Sequence, residues 1–334
     1  MNWSIIQGDA LEALQGMDAG TAQTCVTSPP YWGLRDYGVD GQLGLEATPE
    51  EYVERMVEIF REVRRVLADD GTLWLNLGDS YAATGKSGGG KQGERWEHCG
   101  ASIEGPRGGK WSPAPPGLKP KDLVGIPWRV AFALQADGWY LRQDIIWHKS
   151  NPMPESVKDR CTKAHEYIFM LSKSKRYYYD ADAIKEKAIK ADRLPEAREP
   201  RETGTPRTSD KQRGHGRRHA GFNDRWDHMT KIEQQQCGRN KRSVWTIATQ
   251  PYPEAHFATF PEALIVPCVL AGSRECDLVL DPFTGSGATG VVALKYGRRF
   301  AGIELSQDYI GLAEKRIAPV AAQGGLFTSP GGVE

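Results

Sequence analysis

Two stretches of this sequence carry residue types and spacings that can do chemistry. The first lies near its end: Asp281-Pro282-Phe283-Thr284-Gly285-Ser286-Gly287-Ala288-Thr289-Gly290. Gly285, Gly287 and Gly290 form G-x-G-x-x-G, in which glycines permit a tight turn and let a ligand approach the backbone. Glu304 follows about 20 residues later, at the end of the next expected strand, where a carboxylate accepts both hydroxyls of a ribose. The spacing alone also fits a dinucleotide site or a structural turn. Two features argue against NAD. Too few residues follow the motif to complete a dinucleotide fold behind it. Asp281 adds a second carboxylate, which repels a pyrophosphate but attracts the cationic end of a cofactor such as S-adenosylmethionine.

The second stretch is Thr27-Ser28-Pro29-Pro30-Tyr31-Trp32, which closes a short apolar run. Two prolines stop a strand and hold the corner rigid, with φ fixed and no donor N–H. Backbone carbonyls and the Ser28 hydroxyl are then expected to point outward, beside the aromatic face of Tyr31. An exocyclic amino group needs such acceptors for its hydrogens, and a π surface to hold its base out of a helix stack. Acceptors leave the nitrogen lone pair free to attack an electrophilic methyl, so transfer is an in-line displacement governed by positioning and electrostatics. The alternative is an ordinary proline-terminated strand.

Other candidates are weaker. Pro267-Cys268 has the residue types of a cytosine-C5 nucleophile, but it sits in an apolar helical run, Ala263 to Leu270, and reads as core. His165-Glu166 and His148 lack the spacing of H-E-x-x-H, so no metal site is expected. The six cysteines include no C-x-x-C pair, which fits isolated thiols in a reducing cytoplasm.

The elements that must position these groups follow from periodicity. Strands are expected at Trp3–Gln7, Thr24–Thr27, Thr72–Leu77, Tyr140–Trp147, Glu166–Ser172, Leu278–Leu280 and Arg299–Glu304, with Arg176–Tyr179 continuing a hairpin. Helices are expected at Leu11–Met17, Pro49–Leu67, Leu123–Ala136, Phe260–Ala271, Ala288–Tyr296 and Gln307–Ile317. Alternating β and α elements imply a doubly wound, mostly parallel sheet in a Rossmann-like α/β fold. Residues 83–117, rich in Gly, Lys, Ser and Pro, read as a loop, and those after Ala318 as a disordered tail.

The chain has 334 residues, 39% hydrophobic and 26% charged, with a net charge of zero. No apolar run is long enough for a membrane span, and the N-terminus does not read as a signal peptide. The charge is unevenly placed. Residues 185–245 hold 16 Lys+Arg against 9 Asp+Glu, a net +7 set against −7 for the rest. A basic segment on an acidic body suggests a phosphate-facing surface, or else a merely solvated face.

At Ser28–Tyr31 and Phe283–Gly287 the chain resembles the amino-methyltransferases of DNA, the N4-cytosine and N6-adenine enzymes of restriction–modification systems, phages and bacterial regulation. Their catalytic pattern is an acidic or polar residue before Pro-Pro-aromatic, and their cofactor motif is F-x-G-x-G. The resemblance covers most of the chain. It implies S-adenosyl-L-methionine as cofactor, held by Asp9, Ala10, Phe260, Asp281, Pro282, Phe283, Gly285, Ser286, Gly287, Glu304 and Leu305, and Ser28, Pro29, Pro30 and Tyr31 as the catalytic corner. Trp147 to Pro154 resembles the family's target-pocket loop, with Trp32, Trp147 and Lys149 toward the flipped base. Trp147 can equally be a packing residue. Arg213, Arg217 and Arg218 are the candidate contacts to double-stranded DNA.

The corner precedes the cofactor loop, an order that resembles the circularly permuted class called beta. It implies a catalytic half at 1–84 and 121–184 around a loop at 85–120, a target-recognition region at 185–250, a cofactor half at 251–320 and a tail at 321–334. Serine at the first corner position favours N4 of cytosine over N6 of adenine. A cognate restriction endonuclease is a candidate partner, the chain is expected to be a cytoplasmic monomer or homodimer, and no membrane is involved. An NAD-dependent oxidoreductase leaves Ser28–Tyr31 unexplained. A non-catalytic DNA-binding protein predicts that Ser28→Ala or Tyr31→Ala changes nothing.

Overall fold

The computed structural model describes residues 2–34, 39, 41–82, 117–186, 238–250 and 260–323. The chain divides into two compact units, Met1–Asp180 with Arg242–Glu334, and Ala181–Lys241. Within the described part of the second unit, Glu186 and Arg239 exchange backbone hydrogen bonds of 2.9 and 2.8 Å and pair through Arg239 Nη2 and Glu186 Oε2 at 3.0 Å. The expected loop at 85–120 lies outside the described residues except for 117–120, as does most of the basic segment.

The first unit is built on β1 (Trp3–Gln7), α1 (Ala10–Gln15), β2 (Ala22–Thr27), α2 (Pro49–Val66), β3 (Leu67–Leu77), α3 (Ile126–Ala136), β4 (Tyr140–His148), β5 (His165–Ser172), β6 (Val244–Thr246), α4 (Glu262–Gly272), β7 (Leu278–Asp281), α5 (Ala288–Lys295), β8 (Arg299–Glu304) and α6 (Gln307–Ala322). The strands form one sheet in the order β1-β8-β7-β2-β3-β5-β4-β6. Only β5 runs against the rest. The N- and C-terminal parts of the chain are thus interleaved: β7 and β8 lie between β1 and β2.

The sequence dictates this locally. Helix α2 starts where Thr48 and Glu51 form a reciprocal capping box with Pro49 in the first turn. It turns Tyr52, Met56, Phe60 and Val63 into the core at helical spacing. Strand β2 is buried along its whole length, as a central strand covered on both faces must be. Helices α1, α2 and α3 pack in one layer, and α4, α5 and α6 in the other.

From β7 the chain crosses through α5 to β8 on one side, and from β2 through α2 to β3 on the other. Right-handed crossovers in opposite directions place their helices on opposite faces. A crevice is left at the carboxyl ends of β7 and β2, the switch point at which open α/β sheets bind ligands.

Some expectations need correction. Arg176–Tyr179 forms no strand. That stretch runs irregularly, tied by Tyr178 N–H to Asp70 O (2.9 Å), because β5 is already paired on both sides. Helix α6 continues past Ile317 through Pro319 to Ala322, since proline's fixed φ is itself helical and its cost is one lost bond and local crowding. Strand β3 begins at Leu67, before the expected Thr72, and its pairing with β2 shifts register between Ala22 opposite Leu67 and Thr24 opposite Thr72. Val244–Thr246, inside the segment read from sequence as target-recognition region, is a strand of the sheet beside β4.

Candidate active site

Strand β7 delivers Asp281 to the crevice, 3% exposed. Its Oδ1 accepts from Thr27 Oγ1 at 2.6 Å and from Phe283 N at 3.1 Å. Burial pushes its pKa up to about 6, with the Glu304 charge adding to the rise and the Thr27 and Thr289 hydroxyls and the Phe283 amide opposing it. The Thr27–Asp281 bond joins residues 254 apart in the chain. It follows from register, because β2 and β7 are parallel neighbours with Thr24 opposite Val279 and Cys25 opposite Leu280.

The turn after Asp281 needs its glycines. Gly285 and Gly287 have φ of +50° and +77°, a region costly for other residues, and a Cβ on Gly287 would stand 3.0 Å from Ala313 Cβ. The turn brings Gly285 N–H to Glu304 Oε2 at 2.8 Å, while Ser306 N–H donates to Oε1 at 3.0 Å. Burial raises the Glu304 pKa despite these bonds. The Leu305 N–H also stabilises this carboxylate, so three backbone donors already meet it. Gly8 N–H donates to Glu304 O at 3.1 Å, which sets Asp9 beside β8, where its carboxylate caps α1 through Leu11 N (2.9 Å) and Glu12 N (3.2 Å). Ala10 and Pro282 are buried, and Phe283, half-buried, packs on the same core as Tyr31.

Ser286 Oγ accepts from Arg316 at 3.1 Å, and Leu305 is half-buried beside Glu304. Phe260 stands just before α4, whose far end packs Gly272 against Thr24 in the first half of β2, so Phe260 lies toward the crevice end. Three carboxylates and a turn of left-handed glycines thus converge at the ends of β1, β8 and β7. That set of acceptors fits a nucleoside bearing a cationic group.

Beside this loop, Ser28–Tyr31 leaves β2. Ser28 Oγ donates to Tyr31 Oη at 3.3 Å, and Tyr31 Oη donates to Glu166 Oε2 at 2.8 Å. The Asn76 amide donates to Tyr31 Oη (2.5 Å), Glu166 Oε2 (3.0 Å) and Ser28 Oγ (3.4 Å). Lys149 Nζ closes the cluster on Glu166 Oε1 at 2.5 Å. Burial pushes the Glu166 pKa up, but the Lys149 charge and the bonds from Lys149, Asn76 and Tyr31 together hold it below the usual carboxylate range. The Tyr31 ring lies against Gly78, where a Cβ would stand 2.5 Å from its Cε2. The Pro30 carbonyl does not point outward as expected: it accepts from Tyr52 Oη at 2.9 Å.

Asn76 and Glu166 escaped the sequence reading. Their only signal was a polar residue inside an apolar strand, and Glu166 entered only as half of a poor metal motif. Lys149 is committed to Glu166 and lies 4.7 Å above the Trp147 ring. Trp147 is 4% exposed, with its indole N–H on Ile247 O at 2.9 Å, which is the packing role. Trp32 donates to Glu46 O at 2.9 Å and is half-buried. Arg213, Arg217 and Arg218 lie outside the described residues.

A switch-point crevice holding a nucleoside-type loop on one strand and a Ser-Pro-Pro-Tyr corner on the next defines a Rossmann-like methyltransferase fold. The comparisons agree. The sequence profile of the DNA methylase family matches residues 22–315, and the chain belongs to that family. It is a DNA methyltransferase, and S-adenosyl-L-methionine is the methyl donor that membership implies.

The chain is 48% identical to the Type II methyltransferase M.SmaI of Serratia marcescens over 94% of its length and 90% of that protein. It is 45% identical to M.Cfr9I of Citrobacter freundii over 94% and 87%. Among solved structures it shares the fold of the PvuII DNA methyltransferase described as cytosine-N4-specific (TM-score 0.59, 18% identity, 97% of this chain and 92% of that one). It also shares the fold of a Thermus thermophilus protein described as a putative DNA modification methylase in complex with S-adenosyl-L-methionine (TM-score 0.53, 23% identity, 95% of each chain). The nicotinamide reading falls with this membership. No helix among the described residues is long and apolar enough to cross a membrane.

Proposed function

We propose that the chain methylates the exocyclic N4 of a cytosine flipped out of double-stranded DNA, using the crevice between Ser28–Tyr31 and Phe283–Gly287. The observation that carries this is the Thr27–Asp281 bond, which makes the corner and the cofactor loop two walls of one crevice. S-adenosyl-L-methionine, when bound, supplies an electrophilic methyl. Glu304 takes the ribose hydroxyls, Asp281 and Asp9 favour a cationic ligand, and the glycines admit it close to the backbone.

At the corner, Ser28 Oγ accepts from the amino group and so directs its lone pair at the methyl. The Tyr31 ring, backed by Gly78, holds the base by stacking. A neutral hydroxyl in the first corner position is the feature that favours cytosine N4 over adenine N6. The Type II names of the relatives support a place in a restriction–modification system with a partner endonuclease, and the basic stretch 185–245 is the DNA-facing candidate.

The test incubates the protein with labelled S-adenosyl-L-methionine and bacterial DNA, then digests the DNA to nucleosides for mass spectrometry. N4-methylcytosine is expected. N6-methyladenine alone would overturn the base assignment, and 5-methylcytosine the mechanism.

A further inference from the structure

We propose that Glu166 is the terminus of a proton path that drains the target amine through Ser28 and Tyr31. The inference rests on the amino-methylation reading above and extends it to a residue outside the corner.

Methyl transfer forms an N–C bond and breaks the donor's S–C bond, whose electron pair stays on sulfur. The target nitrogen is left cationic, with one proton too many. Ser28 is a neutral hydroxyl and cannot keep that proton. It can pass one on, however, because its own hydrogen already points along a chain of acceptors: to Tyr31 Oη at 3.3 Å, and from Tyr31 to Glu166 Oε2 at 2.8 Å. The balance is one proton from the amine to Ser28 Oγ, one from Ser28 to Tyr31, and one from Tyr31 to Glu166, which becomes a neutral acid. Both hydroxyls end as they began.

Three features suit Glu166 to this task. Its side chain is 13% exposed, so it does not exchange freely with bulk water. Lys149 at its other oxygen keeps it anionic and ready to accept. Asn76, 2% exposed, places its Nδ2 within hydrogen-bond reach of all three members of the path, sharing its two N–H groups among them, while its own Oδ1 is buried without a partner. An orphaned buried acceptor costs about 1–3 kcal/mol, a cost that a merely space-filling residue would not retain. The charged and titratable groups facing Glu166 are Lys149 at the end of β4, Lys163 ahead of β5, and Tyr31. Glu166 is a positioning and proton-accepting residue that acts through Tyr31 and touches no substrate.

The experiment compares wild type, Glu166→Gln, Tyr31→Phe and the double variant in single-turnover methylation of a DNA duplex, with product assigned by mass spectrometry. Binding of S-adenosyl-L-methionine to each protein is measured separately, and the Glu166 carboxyl is titrated by NMR in the wild type. Glutamine still accepts the Tyr31 bond but takes no proton, and phenylalanine keeps the ring but breaks the path.

Each single variant should bind S-adenosyl-L-methionine normally and lose on the order of a hundredfold in the methylation step. The double variant should be no slower than either single one. The rate of Glu166→Gln and of Tyr31→Phe should recover toward alkaline pH as hydroxide substitutes, while the wild-type rate should not rise there. A Glu166→Gln rate within twofold of wild type, losses that multiply in the double variant, or a Glu166 carboxyl already neutral at the working pH would overturn the path. Should Glu166→Gln fail to bind S-adenosyl-L-methionine through misfolding, the rate and alkaline recovery of Tyr31→Phe decide alone. A wild-type protein that forms no N-methylated base would instead refute the function on which the path rests.

Discussion

Replacing Asp281 by asparagine should make the ligand-free protein more stable and the enzyme worse. A buried carboxylate whose pKa rises from the ordinary 3.8 to about 6 pays for its charge in the folded state only. Below 3.8 it is neutral in both states and nothing is lost. Between 3.8 and 6 the unfolded chain ionises while the folded one resists, so stability falls as pH rises. Above 6 the penalty is constant, at about 3 kcal/mol, of which roughly half is already present at pH 5.

The asparagine variant carries no such penalty, and its side-chain carbonyl keeps both bonds that converge on Oδ1, from Thr27 and Phe283. Glu304 is common to both proteins and largely cancels. Urea unfolding followed by tryptophan fluorescence at pH 5 and pH 8 should show the Asp281→Asn advantage widening by about 1–2 kcal/mol across that interval. Calorimetric titration should show wild-type affinity for S-adenosyl-L-methionine falling below pH 6 and the variant weak at every pH. An advantage independent of pH, or one that shrinks as pH rises, would refute the reasoning.

Gly78→Ala should leave S-adenosyl-L-methionine binding intact and lower kcat/KM for DNA by roughly a hundredfold, since its Cβ would overlap the Tyr31 ring and displace it by about 1 Å. Thr48→Ala, which removes one side of the α2 capping box, should cost about 1 kcal/mol in urea unfolding with no change in methylation rate. Phe60→Ala, in the fully buried face of the same helix, should cost about 3–5 kcal/mol by the same assay. DNA affinity should fall steeply with salt, and converting Arg213, Arg217 and Arg218 to glutamine should flatten the log–log slope by about 0.9 for each phosphate no longer neutralised.

The elements were legible where periodicity and punctuation agree. The α2 pattern with Pro49 at its start, and the buried strand before Pro29, gave boundaries within a residue or two of those observed. The cofactor loop was legible because left-handed backbone demands glycine at Gly285 and Gly287. The Asn76–Tyr31–Glu166–Lys149 cluster was not, because it draws on β3, the corner, β5 and the end of β4, and only sheet order and register bring these together. Trp147 illustrates the same limit from the other side: an aromatic at the end of a strand reads alike as stacking platform or pillar, and only its burial and its bond to Ile247 separate the two.

Both ends of the chain are held here to build one crevice, and a crystal structure with a non-reactive analogue of S-adenosyl-L-methionine tests this most directly. The analogue's ribose should meet Glu304, and its reactive position should face Ser28 Oγ across the Thr27–Asp281 bond. An analogue bound away from the switch point, or one whose reactive position faces away from Ser28, would contradict it.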